Sequence, residues 1–395
     1  MSFFALMAVF ASCKKNEEPR DPKKILKNVS DKDYFITEWE GKEIRIDKIF
    51  GENTIAQYRV KGAKDWEDIK ISNNSLLIEN LDNTKTYELR LFNVDRIITS
   101  LSENPNISLK LITQWGTNEW IDMNRAFSYC INLDVTARDI PNLGKCENCR
   151  YMFARCENLK GNAMFKKWDV SNVKNMSYMF WWASSFNQDI SGWDVTNVTD
   201  MSSMFAWATS FNQPIGDWNV SNVTDMSNMF DFATSFNQPI SDWNVSNVTN
   251  MSNMFNKATS FNQDISKWNV GNVTDMSYMF YDADSFNQPL NNWNVSNVTN
   301  MSYMFGGATS FNQPLNDWNV SNVTNMNDMF SYADSFNQDI SGWNVANVTD
   351  MSYMFYRAHS FKQDLSGWDV RNVVKWENIS NGDRMPREYM PAKFR

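Results

Sequence analysis

Tryptophan stands at positions 168, 193, 218, 243, 268, 293, 318, 343 and 368, nine times at an interval of 25 residues. An interval kept that strictly means one structural unit repeated, with each copy in contact only with its neighbours. The unit reads W-[ND]-V-S-N-V-T-[DN]-M-S-x-M-F-x-x-A-x-S-F-N-Q-[PD]-[IL]-x-x, as in Trp218 to Asp242. Sixteen of the 23 Met and sixteen of the 27 Phe fall in its columns, so the unusual composition is mostly one phrase repeated. A unit this short cannot bury its apolar side alone, and the copies have to stack.

Within the unit, Met201, Met204, Phe205 and Ala208 lie at i, i+3, i+4 and i+7, the spacing of one helix face. Thr199 or Asp200 before them is a suitable N-cap. Trp218 and Val220 flank Asn219 with the period-2 pattern of a short half-buried strand. The residue after Gln is Pro at 214, 239, 289 and 314 and Asp at 189, 264, 339 and 364, which marks a turn. The expected fold is an α/β solenoid, leucine-rich-repeat-like, with one short strand and one short helix per 25-residue coil, preceded by a small all-β sandwich. Two Asn columns, from Asn172 to Asn372 and from Asn187 to Asn337, are expected to face inward and bond the backbone of the adjacent coil.

Charge and residue usage narrow the function. The net charge is −9, and residues 168–367 alone carry 18 Asp against 5 Lys or Arg, a net of −13. Such an acidic surface argues against a nucleic-acid partner. There is one histidine, His359, in a column otherwise filled by Ser, Thr or Asp, so it reads as a solvated surface residue. Imidazole chemistry and His-rich metal sites are thereby excluded, and no enzyme activity, catalytic residue, metal or cofactor is expected.

Residues 1–12, MSFFALMAVFAS, are apolar and end in small residues before Cys13, and the polar run KKNEEPRDPKK follows. This resembles a bacterial lipoprotein signal with Cys13 as the lipid-bearing residue, palmitate among its chains. The string V-T-D-M-S-x-M-F-x-x-A-x-S-F-N-Q-[DP]-[IL]-x-x-W-[ND]-V in turn resembles the roughly 25-residue repeat of bacterial surface lipoproteins related to BspA-type leucine-rich-repeat proteins. The resemblance covers about residues 118–380. It implies a lipid-anchored protein on the bacterial outer membrane or cell surface, engaged in adhesion or contact with a host or neighbouring-cell protein or glycan.

The register extends backwards through two degenerate units, with Met123, Ala126, Phe127, Cys130 and Leu133 in one, and Cys149, Met152, Phe153, Cys156 and Leu159 in the other. Cys146 falls in the Val column, Cys149 in the Met column and Cys130 and Cys156 in the Ala column. Core thiols are the favoured reading, over a disulfide, for which Cys130 and Cys156 are the best-placed pair, and over a metal site. Seven alternating runs between 34 and 114 read as strands of an immunoglobulin-like or PKD-like sandwich. The expected organisation is a lipoprotein signal at 1–13, a tether at 14–33, the sandwich at 34–116, the repeats at 117–380 and a tail at 381–395.

Positions that vary between copies mark the exposed surface. The second residue after Met-Phe reads Trp182, Trp207, Phe232, Lys257, Asp282, Gly307, Tyr332 and Arg357. Its first three members, with Tyr178 and Trp181 beside them, form an aromatic patch expected on the outer side of the helices, and this is the candidate binding surface. The leading functional expectation is a non-enzymatic surface protein that binds a macromolecule through its repeats. The alternatives are a structural surface-coat protein without a specific ligand and a glycan-binding module.

Overall fold

A computed structural model of the chain describes residues 29–101, 104–380 and 385–395. The expected lipoprotein signal with Cys13, most of the tether and the start of the tail lie outside these residues. Ten strands occupy the N-terminal part: β1 Phe35–Glu40, β2 Ile44–Ile46, β3 Lys48–Phe50, β4 Ile55–Val60, β5 Glu67–Ile69, β6 Leu76–Ile78, β7 Thr86–Phe92, β8 Arg96–Ile98, β9 Leu109–Gln114 and β10 Asp134–Val135. Six of them form one sheet in the order β10-β9-β1-β7-β4-β5. In β7 the alternation buries Tyr87, Leu89 and Leu91 and leaves the intervening residues part-exposed, as the two faces of a pleat require.

This differs from the expected two-sheet sandwich. Opposite the large sheet stand only two separate two-stranded ladders, β2 with β6 and β3 with β8. They are three residues long, too short to merge into a second sheet, and their buried Ile44, Ile46, Leu76, Ile49 and Ile97 join the common core.

β10 belongs to the first coil of the repeats yet pairs in parallel with β9, so sheet and array are hydrogen-bonded together. Phe35 of β1, Trp115, Trp120 and Phe127 close the junction with ring centroids 5.2–6.3 Å apart. The segment after β8 covers the open side of the first coil: Thr99 N–H donates to Ala126 O and Asn106 N–H to Tyr129 O, at 3.0 and 2.9 Å.

The repeats themselves overturn the expected α/β solenoid. Among the described residues there is no α-helix, and no strand of more than a single bridge lies beyond Val135. Regular structure among the described residues is β, apart from four three-residue 3-10 turns. Each 25-residue unit is instead a succession of tight turns. Met204, Ala206 and Ala208 donate their N–H groups back three residues, to Met201, Ser203 and Phe205. Met201, Ser203, Phe205 and Trp207 donate theirs to Asp225, Ser227, Met229 and Asp231 of the next coil, at 2.7–3.1 Å. A continuous α-helix would consume all of these donors internally, and helices need about 8–10 Å between axes, whereas hydrogen-bonded chains sit about 4.8 Å apart. The inter-coil bonds win because they satisfy the backbone at the closer spacing. The alternation requires left-handed backbone at Ser203 (φ 55°) and Trp207 (φ 62°), and the same two columns carry positive φ through the array.

Single parallel bridges join the coils along the column Asn175, Asp200, Asp225, Asn250, Asp275, Asn300, Asn325, Asp350 and Lys375. Next to them the Thr column donates backbone N–H to the Thr carbonyl one coil earlier, as from Thr224 to Thr199 at 2.9 Å. Inside, Met, Phe, Trp, Val, Ala and Ile or Leu fill continuous columns that are all but sealed from water. Neighbouring ladder Trp rings stack with planes 3–15° apart, and from Trp193 onward each indole N–H donates to a buried carbonyl 28 residues earlier, as from Trp268 to Ile240 O at 3.0 Å. The Asn column from 172 does bond the adjacent coil, Asn222 Nδ2 to Thr196 O at 2.7 Å, but from an exposed position; the inward orientation expected for it is not found. The second column behaves similarly: Asn237 Oδ1 accepts from Asn262 N–H and Gln263 Nε2 of the following coil.

Candidate functional surface

The left-handed turns decide which side chains reach the surface. In the two positive-φ columns most side chains stand outside the core and form rows one coil apart, with Ser203 and Gly307 buried among their part-exposed neighbours. One row begins Tyr129, Arg155, Trp182, Trp207, Phe232, Lys257; the other begins Arg125, Tyr151, Tyr178, Ser203.

In the first row the rings lie face to face. Trp182 and Trp207 have centroids 4.4 Å apart at 3°, and Trp207 and Phe232 3.7 Å apart at 12°. The Arg155 guanidinium covers the free face of Trp182 at 4.3 Å, and Lys257 Nζ covers that of Phe232 at 4.5 Å. The result is a closed file of cation, three rings and cation in five successive coils, all five residues part-buried. Tyr178 and Trp181 meet edge to face at 6.2 Å, and Trp181 meets Trp182 the same way at 5.8 Å. The candidate residues Tyr178, Trp181, Trp182, Trp207 and Phe232 thus form one continuous patch, set on turns where the sequence suggested helices.

In the second row Tyr151 stacks on Tyr178 at 4.5 Å. Arg125 lies over Tyr151 at 5.1 Å, and Arg150 over Tyr151 at 5.0 Å and Tyr178 at 5.6 Å. Arg155 also approaches Tyr129 and Trp181, and its Nε is buried without a hydrogen-bond partner. These three arginines and Lys257 are the members of the surface that the sequence reading missed. Arg125, Arg155 and Lys257 occupy the same repeat columns as the aromatic residues, whereas Arg150 stands in the column of Ser177, and nothing in the sequence places any of the four over a ring.

Further along, burial pushes the Asp231 carboxyl, at the base of Phe232, up to about 7, while the Asn256 amide at 2.8 Å and Lys257 pull it down. Burial likewise raises Asp328, which hydrogen-bonds with Tyr303. His359 is half-exposed with Nδ1 2.6 Å from Asp334 Oδ1. The four described cysteines are free and buried. Cys146 and Cys149 approach to 3.8 Å between sulfurs, whereas Cys130 is turned to Thr99 Oγ1 and Cys156 to Phe127 O, both at 3.1 Å. At the far end a cleft of about 650 Å³ lies between the last coil, Val374 to Ser380, and the segment from Met385 to Arg395.

The family described as "Mycoplasma protein of unknown function, DUF285" matches four overlapping stretches, residues 77–163, 121–234, 213–315 and 288–387. No curated protein and no solved structure is similar enough to add to that match. The four stretches run without a break from the last strands of the N-terminal sheet to the end of the array, and the chain belongs to the DUF285 family.

Proposed function

We propose that this is a non-enzymatic surface protein that holds a macromolecule of a host or neighbouring cell against the exterior of its repeats, with Cys13 as a lipid anchor and the N-terminal sheet as the spacer. The carrying observation is the closed file Arg155, Trp182, Trp207, Phe232 and Lys257. From Trp168 to Trp368 the core columns vary only by Ile for Leu, but this file occurs once and concentrates large rings and cations on part-exposed turns. Rigid aromatic and guanidinium groups supply the anchors of protein interfaces because little side-chain freedom is lost on contact.

The file also favours one mode of contact over another. The ring faces are taken up by one another and by the two cations, so only edges are offered to a partner. Platform stacking of neutral sugars, which needs an open face, is disfavoured, and edge contact with a protein or charge contact through the cations is favoured.

The test is binding of the full-length chain to intact cells. Replacing Trp182, Trp207 and Phe232 together by Ser should abolish binding while the circular dichroism spectrum keeps its shape; undiminished binding by the folded variant removes the patch from consideration. Metabolic labelling with a fatty acid tests the anchor: the label should disappear with Cys13→Ser, and its persistence in that variant refutes Cys13 as the lipid site.

A further inference from the structure

We infer that the edge formed by Arg125, Arg150 and Arg155 is a site for an anionic polysaccharide, held by guanidinium pairs to its sulfate or carboxylate groups. The inference deepens the preceding reading by naming a ligand class, and it rests on that reading.

Arg125 and Arg150, whose backbones are joined by the Arg125 N–H bond to Arg150 O at 2.9 Å, both lie over Tyr151, and Arg155 lies in the adjoining row over Trp181 and Trp182. Arg150 is exposed, and Arg125 and Arg155 are part-buried. Among the described residues none of the three has a carboxylate oxygen within 4.0 Å, although several nearby cations do: Arg96 with Asp122, Lys145 with Glu119, Lys166 with Asp189 and Lys174 with Glu147. Aromatic rings take the place of the missing acids. A guanidinium lying on a ring stays charged, is held in orientation, and keeps N–H groups at its edge for a planar or tetrahedral oxyanion.

The surroundings choose among anions. Residues 168–367 carry a net charge of −13, so a long, stiff polyanion laid along the array would be repelled beyond the first coils. Duplex nucleic acid needs an extended basic stripe, and single strands need open ring faces on which bases stack. Neither is offered, because the rings beside the arginines are already stacked on each other. A flexible saccharide bearing discrete acidic groups can meet three fixed guanidiniums locally and leave the acidic region.

The experiment uses the full chain with four probes: dextran sulfate, a polyuronate, uncharged dextran and duplex DNA, titrated between low and physiological salt. Binding is expected to dextran sulfate, to the polyuronate, or to both, and the comparison identifies the acidic group. Log affinity should fall with log salt with a slope of about −2 to −3, the number of paired guanidiniums. Arg125→Gln with Arg150→Gln should weaken binding at least about tenfold and flatten that slope. Both residues lie outside the core columns, and an unchanged thermal transition verifies the fold. Equal affinity of wild type and double variant, or DNA binding as tight as polysaccharide binding, overturns the inference. Cell binding that persists without affinity for either acidic polysaccharide refutes this inference alone. Polysaccharide binding by a chain that does not bind cells refutes the wider reading and leaves the site standing.

Discussion

Trp182 and Trp207 lie parallel, 4.4 Å apart, and each does so from a left-handed backbone, with φ of 60° and 62°. Bulky residues avoid that region at a cost of roughly 1–2 kcal/mol, so the stack and the strain are two sides of one arrangement. Ring contact and cation cover offset the backbone cost, and the inter-coil bond from Trp207 N–H to Asp231 O, 2.7 Å, holds the turn in place.

Separating these terms gives the first prediction. Trp207→Ala removes the ring contacts and keeps the strain; Trp207→Gly removes both. The glycine variant should therefore be the more stable of the two, by about 1 kcal/mol, in urea denaturation. The natural Gly307 occupies the same column with φ of 68°. The opposite order would mean that the turn imposes no strain.

The core ladder makes a different demand. Trp268→Phe keeps a buried ring but leaves the Ile240 carbonyl without its indole donor, at a cost of about 1–3 kcal/mol. Met254→Ala opens a cavity in a column with no exposure at all and should cost about 2–5 kcal/mol. Hydrogen exchange should show the loss of protection centred on the altered coil and its two neighbours, since contacts reach only one period away.

Asp231 gives the array a pH dependence. Its folded-state pKa, raised by burial to about 7 from the ordinary 3.8, lets the folded chain keep a proton that the unfolded chain releases. Stability from this group is full below about pH 4, declines as pH rises to about 7, and is level above that. Asp231→Asn should remove the decline and stabilise the protein at pH 8 by about 1–2 kcal/mol, a value discounted for partial solvent screening. Thermal melts of both proteins from pH 4 to 8 check it; parallel curves would refute the assignment.

The cysteines should be inert while the fold is intact. Burial pushes the Cys130 thiol up to about 12 and raises Cys156 well above its ordinary range; the hydrogen bond between Cys146 and Cys149 raises Cys149 and lowers Cys146, so Cys146 is protected by its complete burial rather than by its pKa. In a Cys13→Ser background, iodoacetamide at pH 8 should modify none of the four in native protein and all four in denaturant, read by mass. Rapid native labelling at Cys130 or Cys156 would contradict their placement in the core.

The core columns were legible because a 25-residue period fixes which side chains share a row, whatever the backbone does between them. The backbone was not. Met201, Met204, Phe205 and Ala208 are spaced as on a helix, but consecutive tight turns return side chains to the core at nearly the same intervals. The discriminating signal was in the neighbouring columns: Asn228, Asn253 and Asp328 in one and Asp282 and Gly307 in the other are residues that tolerate left-handed backbone. Tyrosine and tryptophan in those columns hid it. The aromatic patch was found by its variation between copies, while its arginines were missed because only contact across coils shows that they lie over rings rather than beside acids.

The inter-coil bonds all join a residue to its counterpart about one period away, and this makes the length of the array separable from its construction. Removing one whole unit, such as residues 243–267, brings Trp218 beneath Trp268 and rejoins every core row, whereas removing any number of residues that is not a multiple of 25 breaks all of them at once. Unequal recombination between near-identical units would accordingly yield chains that fold, longer or shorter by a coil. The file from Arg155 to Lys257 lies in the coils nearer the N-terminal sheet, so coils gained or lost beyond Lys257 would alter the reach of the molecule and leave that surface where it is.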